Sequence, residues 1–351
     1  SVDAVMVGED LGADYVVEGG VRRAEGHLRV TARVLDAKDG TNVWSETYDR
    51  DLTAANLFAV QDEITDGIVN SIGAFSGAIL QAETDRTRQH APEGLSGVEC
   101  IYRHADYYAT QPTPERHLAI RACYEQALES EPDNAMIYAG MAWNIRDELI
   151  FGFNPGADPL DRALASARRA VELDRDSPIA HWISALVHFN RGEIDEFRVS
   201  SDRAIALSPH HAALLADIGT QLGMSGDEDR GAAMIEKAIV MNPDHQPWYH
   251  YFLSYYYIFQ EDYDTALTHA HGLTWGWWWD YVLRTTIYAR TGRMGDARAE
   301  AARLLEAYPT YPEDARAEFE KWNLPEARIE SYISTLRKVG IEIPEKDFPS
   351  N

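Results

Sequence analysis

Positive charge is in short supply in this 351-residue chain. Its 32 Lys and Arg face 57 Asp and Glu, for a formal net charge of −25. A surface of that sign repels phosphate backbones and anionic headgroups, so no nucleic acid and no membrane surface is expected as a partner of this segment. Cysteine is nearly absent as well: Cys100 and Cys123 are the only two. That count gives no disulfide framework and fits a reducing, cytoplasmic setting. The two lie on consecutive predicted helices, where a bridge is geometrically conceivable, yet buried free thiols are the expectation. No apolar run reaches the ~18 residues of a membrane span. The start, Ser1-Val-Asp-Ala4, has neither a basic nor an apolar leader region and does not read as a secretory signal. Lacking an initiating Met, the chain reads as a fragment cut from a longer protein.

Catalytic signatures are missing too. Gly19-Gly20 is not followed by the Gly-Lys-Ser/Thr of a phosphate loop, and no nucleophile elbow occurs. His210, His211, His245, His250, His269 and His271 read as scattered, and His269-x-His271 on a helix points its rings apart. Carboxylates are so abundant that chance pairs are expected, and the runs at Asp227-Glu-Asp229 and Glu129-x-Glu131 read as solvated helix ends. The expectation is no catalytic residue, no cofactor and no metal.

What the chain does have is a repeat. Ala204-Ile-Ala-Leu-Ser-Pro209 returns as Ala238-Ile-Val-Met-Asn-Pro243, 34 residues on, and Ala127 to Pro132 and Leu304 to Pro309 fall in the same register. Small residues let paired helices approach closely, and the proline stops the second helix of each pair. The units are placed at 101–134, 135–177, 178–211, 212–246, 247–277 and 278–311. The second is lengthened by an insertion around Phe151-Gly-Phe153, read as a loop that could fold over the groove mouth. Gly219 is placed where two helices pack closely, and Gly192, Gly226 and Gly292 at turns. A last helix at about 325–338, with Ile329, Tyr332, Ile333 and Leu336 on one side, would cap the stack.

Ahead of the array, residues 1–12 read as a helix end with Val5 and Leu11 on its apolar side and Gly12 as its stop. Three strands follow at 15–23, 28–35 and 42–49, joined by turns at Ala24-Glu-Gly26 and Lys38-Asp-Gly40. One long helix is predicted from Leu57 to Thr87, then a polar linker or frayed end over 84–97.

These patterns resemble known families. The array resembles tetratricopeptide repeats. Residues 1–90 resemble the C-terminal part of the TolB-like alpha/beta domain that precedes such repeats in bacterial class III adenylate cyclases and ToxR-like regulators. The phrases that carry it are Leu11-Gly-Ala-Asp-Tyr-Val-Val-Glu-Gly-Gly-Val-Arg-Arg23, Val30 to Ala37, Val43 to Leu52 and Leu57 to Ile64. The resemblance implies a regulatory segment of a bacterial signalling protein, below a catalytic or DNA-binding domain. It also implies a truncated N-terminal domain whose open sheet edge could pair with another chain.

The resulting expectation is a mainly α fold: a superhelix of about six repeats preceded by a small α/β domain. Boundaries are placed at 1–90, a linker at 91–100, the array at 101–311 and capping helices at 312–351. First helices line the inner groove of such arrays, which puts Trp143, Arg146, Trp182, Phe189, Asn190, Trp248, Tyr251, Tyr255, Phe259, Trp279 and Arg290 on the binding face. The run Thr274-Trp-Gly-Trp-Trp-Trp-Asp280 cannot bury every ring on one helix face, so at least one ring should meet groove or solvent. The expected function is non-enzymatic: binding a protein or peptide in that aromatic groove and regulating an upstream adenylate cyclase domain. The alternative is a small-molecule sensor with its pocket between the array and the N-terminal domain. Self-association as a homodimer through the sheet edge or the Trp-rich wall is a further expectation.

Overall fold

The computed structural model describes residues 3–53, 55–73, 77–88, 96–110, 112–243 and 245–345. It begins with helix α1 (Ala4–Leu11), capped by the Asp3 carboxylate on the Val5 N–H and stopped by Gly12 at φ 63°. The buried side of α1 differs from the predicted one. Ala4 and Gly8 face inward, while Leu11 is 75% exposed. Gly8 lies so near Ala37 that a Cβ there would sit 2.3 Å from the alanine methyl, so close backbone approach sets the roll of the helix.

Strands β1 (Tyr15–Ala24), β2 (His27–Asp36) and β3 (Asn42–Asp51) form an antiparallel sheet in that order. Glu25 and Gly26 between the first two both have positive φ, the backbone twist a two-residue hairpin requires. Helix α2 (Leu57–Gly73) covers one face and closes a small core of Tyr48, Leu52, Val60 and Ile64. The single long helix predicted here is in fact two. Helix α3 (Ala78–Arg88) starts afresh after Gly73 and Gly77, whose backbone freedom disfavours continuation; residues 74–76 lie outside the described residues. Arg86, braced by Glu83 one turn before it on the same helix, ties α3 back to the sheet through buried Asp36 and the Tyr15 hydroxyl.

Of the stretch read as a linker, residues 89–95 lie outside the described residues. Its end is helical: α4 (Gly97–Ala109) begins with a capping box between Ser96 and Glu99. Six helix pairs then stack: α4 with α5 (Pro114–Ser130), α6 (Ala135–Ile150) with α7 (Pro159–Leu173), and α8 (Pro178–Asn190) with α9 (Ile194–Leu207). Then come α10 (Ala212–Met224) with α11 (Glu228–Met241), a short 3₁₀ turn at Pro247–Tyr249 leading into α12 (His250–Phe259) with α13 (Tyr263–His271), and α14 (Trp278–Arg290) with α15 (Met294–Ala307). The repeated small residues Ala127, Ala163, Ala204, Ala238, Ala266 and Ala297 are all buried at the crossings. Gly192, Gly226 and Gly292 turn the chain with positive φ. The N-terminal unit docks on the array through the Asn70 side chain, which accepts from the Ala212 N–H at 3.0 Å, and through an Asp66–His210 pair.

The expectation of free thiols is corrected. Cys100 on α4 and Cys123 on α5 form a disulfide, because the two antiparallel helices bring their Cα atoms to 5.7 Å.

The chain ends in α16 (Tyr311–Glu320) and α17 (Glu326–Val339). These helices do more than cover the last repeat. Their connecting turn reaches back to α8, where Asn323 donates to the Phe189 carbonyl at 2.6 Å and Asn190 donates to the Lys321 carbonyl at 3.2 Å. Arg328 forks onto Glu228 of α11, with both contacts to Oε1 and Oε2 near 3 Å. The cap therefore fills part of the inner face that the first helices would otherwise leave open.

An aromatic chamber on the inner face

The remainder of the inner face is a chamber of ≈120 Å³. Its walls come from the first helix of every pair and from the tip of the cap. Six of the eleven residues assigned to the groove from sequence line it: Trp143, Arg146, Trp182, Trp248, Tyr251 and Trp279. The other five lie where the cap has packed. Phe189 is buried against Phe197, and Asn190 is spent on Arg146 and Lys321. Tyr255 is buried with its hydroxyl on Glu228. Phe259 is sandwiched by the Arg290 and Arg328 guanidinium groups, 5.0 and 4.0 Å from its ring centre. Arg290 donates to the Ser331 hydroxyl at 2.6 Å. These five are cap contacts rather than chamber wall.

The structure adds walls that sequence reasoning did not assign. Tyr108 comes from α4, Phe151 from the insertion, Trp275 and Trp277 from the Trp-rich run, and Trp322 from the cap turn. The rings form a continuous lattice, with Tyr108 and Trp143 at 5.1 Å, Trp143 and Trp182 at 5.5 Å, Tyr251 and Trp277 at 5.6 Å, and Trp277 and Trp322 at 5.8 Å between centres. Within the run the rings divide: Trp275, Trp277 and Trp279 reach the chamber, while Trp278 turns to Tyr311 and Phe319 of the cap. The insertion reaches the chamber through Phe151, and Glu148 braces it by accepting from the Gly156 N–H at 2.6 Å.

A few polar groups punctuate this apolar surface. Asp217 accepts from Trp182 Nε1 and from Gln221 Nε2, each at 3.1 Å. Burial raises its pKa, against the opposing pull of Arg146. Arg146 is only 5% exposed, and its Nε donates to Asn190 at 2.5 Å. Tyr108 donates to both oxygens of buried Asp147 at 2.6 Å, and Tyr251 donates to Asp280. Burial first, and then these carboxylates, push both phenols well above their ordinary range. Asp217 did leave a trace in the sequence: it is the one acid on the otherwise apolar helix Ala212–Met224, with Gln221 one turn further on the same face. Trp322 left none, because a cap turn has no periodicity to read.

The histidines are less scattered than the sequence suggests. His245, His250 and His269 form a row, with ring nitrogens 3.2 and 2.9 Å apart. Burial, then the neighbouring imidazoles, press His250 down to about 4, and burial does the same to His211, whose ring caps α10 at the Leu214 N–H. A free imidazole titrates near ~6.5, so in the interval between the two values the unfolded chain binds protons that the folded one refuses. Their stability contribution is therefore complete above pH ~6.5 and is lost as pH falls toward about 4. Thermal unfolding should show a midpoint that drops from about pH 7 to about pH 5, and His250→Gln should flatten that slope. A midpoint indifferent to pH across this window would contradict the assignment.

With the geometry in place, comparison with known proteins fits the architecture. Residues 159–212 match the family model "Tetratricopeptide repeat". Among solved structures, the human IFIT1 dimer with m7Gppp-AAAA overlays 83% of this chain and 73% of its own at TM-score 0.53 and 15% identity. The APC/C hetero-tetramer Cut9–Hcn1 overlays 78% of this chain and 48% of its own at TM-score 0.52 and 14% identity. These are likenesses of fold. The fold is a tetratricopeptide-like superhelix with a small three-stranded sheet at its N-terminal end. A protein of Rhizobium meliloti (strain 1021), provisionally named adenylate cyclase 3, is 30% identical over 196 residues, which is 55% of this chain. The matching stretch spans 32% of that relative's length. Among the described residues, no helix is long and apolar enough to cross a membrane.

Proposed function

We propose that this chain is a non-catalytic regulatory segment that receives its cue in the aromatic chamber and passes it to a larger signalling protein. One observation carries the reading: the cap occupies much of the inner face and leaves a chamber sized for a small molecule or a single side chain, not a groove for a long peptide. This favours the sensor alternative, with its location changed. The chamber is lined by residues from Ala105 to Trp322 and by none of the N-terminal unit. The likeness to the Rhizobium meliloti protein supports a nucleotide cyclase as the regulated output, and the resemblance of residues 1–90 to the TolB-like domain supports a bacterial, cytoplasmic setting. Both sulfurs of Cys100–Cys123 are buried, which shields the bond from thiol exchange there. The second occupant the fold favours is one anchoring side chain of a protein partner.

The test is a thermal-shift screen of small metabolites and short peptides, with hits re-measured on Trp248→Ala and Trp277→Ala. These two rings are half-buried at the chamber rim, so truncation should leave the core intact. Trp182 and Tyr255 are core and make poor probes. Each rim variant should weaken binding by about 1–3 kcal/mol. Hits indifferent to both variants would place recognition elsewhere on the molecule.

A further inference from the structure

The chamber holds two opposite charges, Arg146 and Asp217, that attract each other without forming a direct ion pair. Arg146 sits almost wholly buried, and among the described residues its only hydrogen-bond partner is Asn190, at Nε. Among the described residues its two Nη groups have no hydrogen-bond partner, and the residue lines the chamber. Leaving a buried guanidinium so poorly paired is costly, and a counter-ion supplied by a ligand removes the cost. Asp217 faces the same space and forms no ion pair with Arg146. Gln221 is 1% exposed, with its Oε1 lacking a partner, and the Trp322 indole N–H lacks one as well. The Arg146 Nη groups thus stand unpartnered at a ring of tryptophans, with the unpartnered Gln221 Oε1 and Trp322 N–H buried in the wall behind it.

Resting on the proposal that this chamber receives the cue, we infer that its ligand is a small zwitterion of betaine type, a carboxylate joined to an alkylated ammonium. The carboxylate would meet the Arg146 Nη groups. The alkylated cation would lie against the indole and phenol faces, beside Asp217. Ring faces attract cations through their quadrupole, and an alkylated ammonium needs no hydrogen-bond acceptors from them. Tyr108 and Tyr251 strengthen this, since each donates its hydroxyl to a carboxylate and so carries more electron density in its ring. A chamber of ≈120 Å³ is close to the size that accommodates a single small ring, which suits such a molecule.

The experiment titrates the intact chain by tryptophan fluorescence with three probes. Glycine betaine carries both charges, 3,3-dimethylbutanoate has its shape without the cation, and choline has the cation without the carboxylate. Glycine betaine should bind at least about tenfold more tightly than either single-charge probe. Arg146→Gln should reduce betaine to the choline level while leaving choline unchanged, and Asp217→Asn should reduce betaine toward dimethylbutanoate. Arg146→Gln should also fold at least as stably as the parent, since it removes a poorly paired buried charge. Equal affinities for betaine and dimethylbutanoate would overturn the inference in favour of plain apolar recognition. Silence of all three probes, with a different compound from the wider screen still sensitive to Trp277→Ala, would sink the ligand class and leave the chamber's role standing.

Discussion

Tyr332→Ala should destabilise the protein by about 3–5 kcal/mol, the range for truncating a large buried ring. Tyr332 has no exposure and stands at the centre of the cap interface. Its ring stacks on Phe319 at 5.2 Å, meets Phe259 edge-on at 5.5 Å, and lies 5.8 Å from Trp279, a chamber wall. Removing it leaves a cavity among rings that cannot close in, because Phe259 is held between Arg290 and Arg328. Tyr332→Phe gives the opposite result. The Tyr332 hydroxyl is buried without a partner, so its loss should be neutral or stabilising by up to about 1–3 kcal/mol. Denaturant melts of the two variants, side by side, check the pair. Should Tyr332→Phe fall as far as Tyr332→Ala, the hydroxyl has a partner and the packing account is wrong. The effect reaches function, because the interface Tyr332 holds also sets Trp322 and Trp279 against the chamber.

The difference between what could and could not be read from the sequence follows from range. The recurrence of Ala204 to Pro209 as Ala238 to Pro243 is local, because each helix pair buries its small residues against its own partner and its neighbour. The superhelix was legible for that reason. The hairpin at Glu25-Gly26 was legible because its turn demands positive φ. The cap's return to α8 was not legible. It joins Asn323 to Phe189, 134 residues away, and no periodicity encodes such a contact. That single event separates Trp143, Trp182 and Trp248, which line the chamber, from Phe189, Tyr255 and Phe259, which the cap covers. The first helix of a repeat predicts an inner face; it does not say which part of that face the chain keeps for itself. The Cys100–Cys123 bond escaped for a related reason. A pair of cysteines on adjacent helices becomes a bridge only when the crossing brings them together, and the 5.7 Å separation is a property of the crossing rather than of spacing.

Gly231→Val should be more damaging still, and it probes the helix that carries the chamber's polar groups. Gly219 on α10 and Gly231 on α11 let the two backbones touch. A Cβ on Gly231 would lie 2.5 Å from the Gly219 carbonyl oxygen and 2.8 Å from the Gly223 backbone. The obstacle is main chain on a helix, so no side-chain rotation relieves it, and α10 and α11 must separate. Separation costs the burial of Ile218, Leu222, Ala232 and Ile235 at their interface. We expect a loss above about 4 kcal/mol, in the tail reserved for overpacked cores, with soluble yield falling accordingly. Gly295→Ala is the control, since nothing lies within 4 Å of its Cβ position in the first turn of α15. That change should be neutral or stabilise by about 0.5–1 kcal/mol through helix propensity alone. A milder substitution, Gly231→Ala, links packing to recognition. Moving α10 outward carries Asp217, Thr220 and Gln221 away from the facing tryptophans, so ligand-dependent fluorescence should weaken in the fraction that still folds. If Gly231→Ala lowers stability while ligand binding stays at the parental level, α10 does not position the chamber wall, and the polar groups on it act independently of the close approach of these two helices.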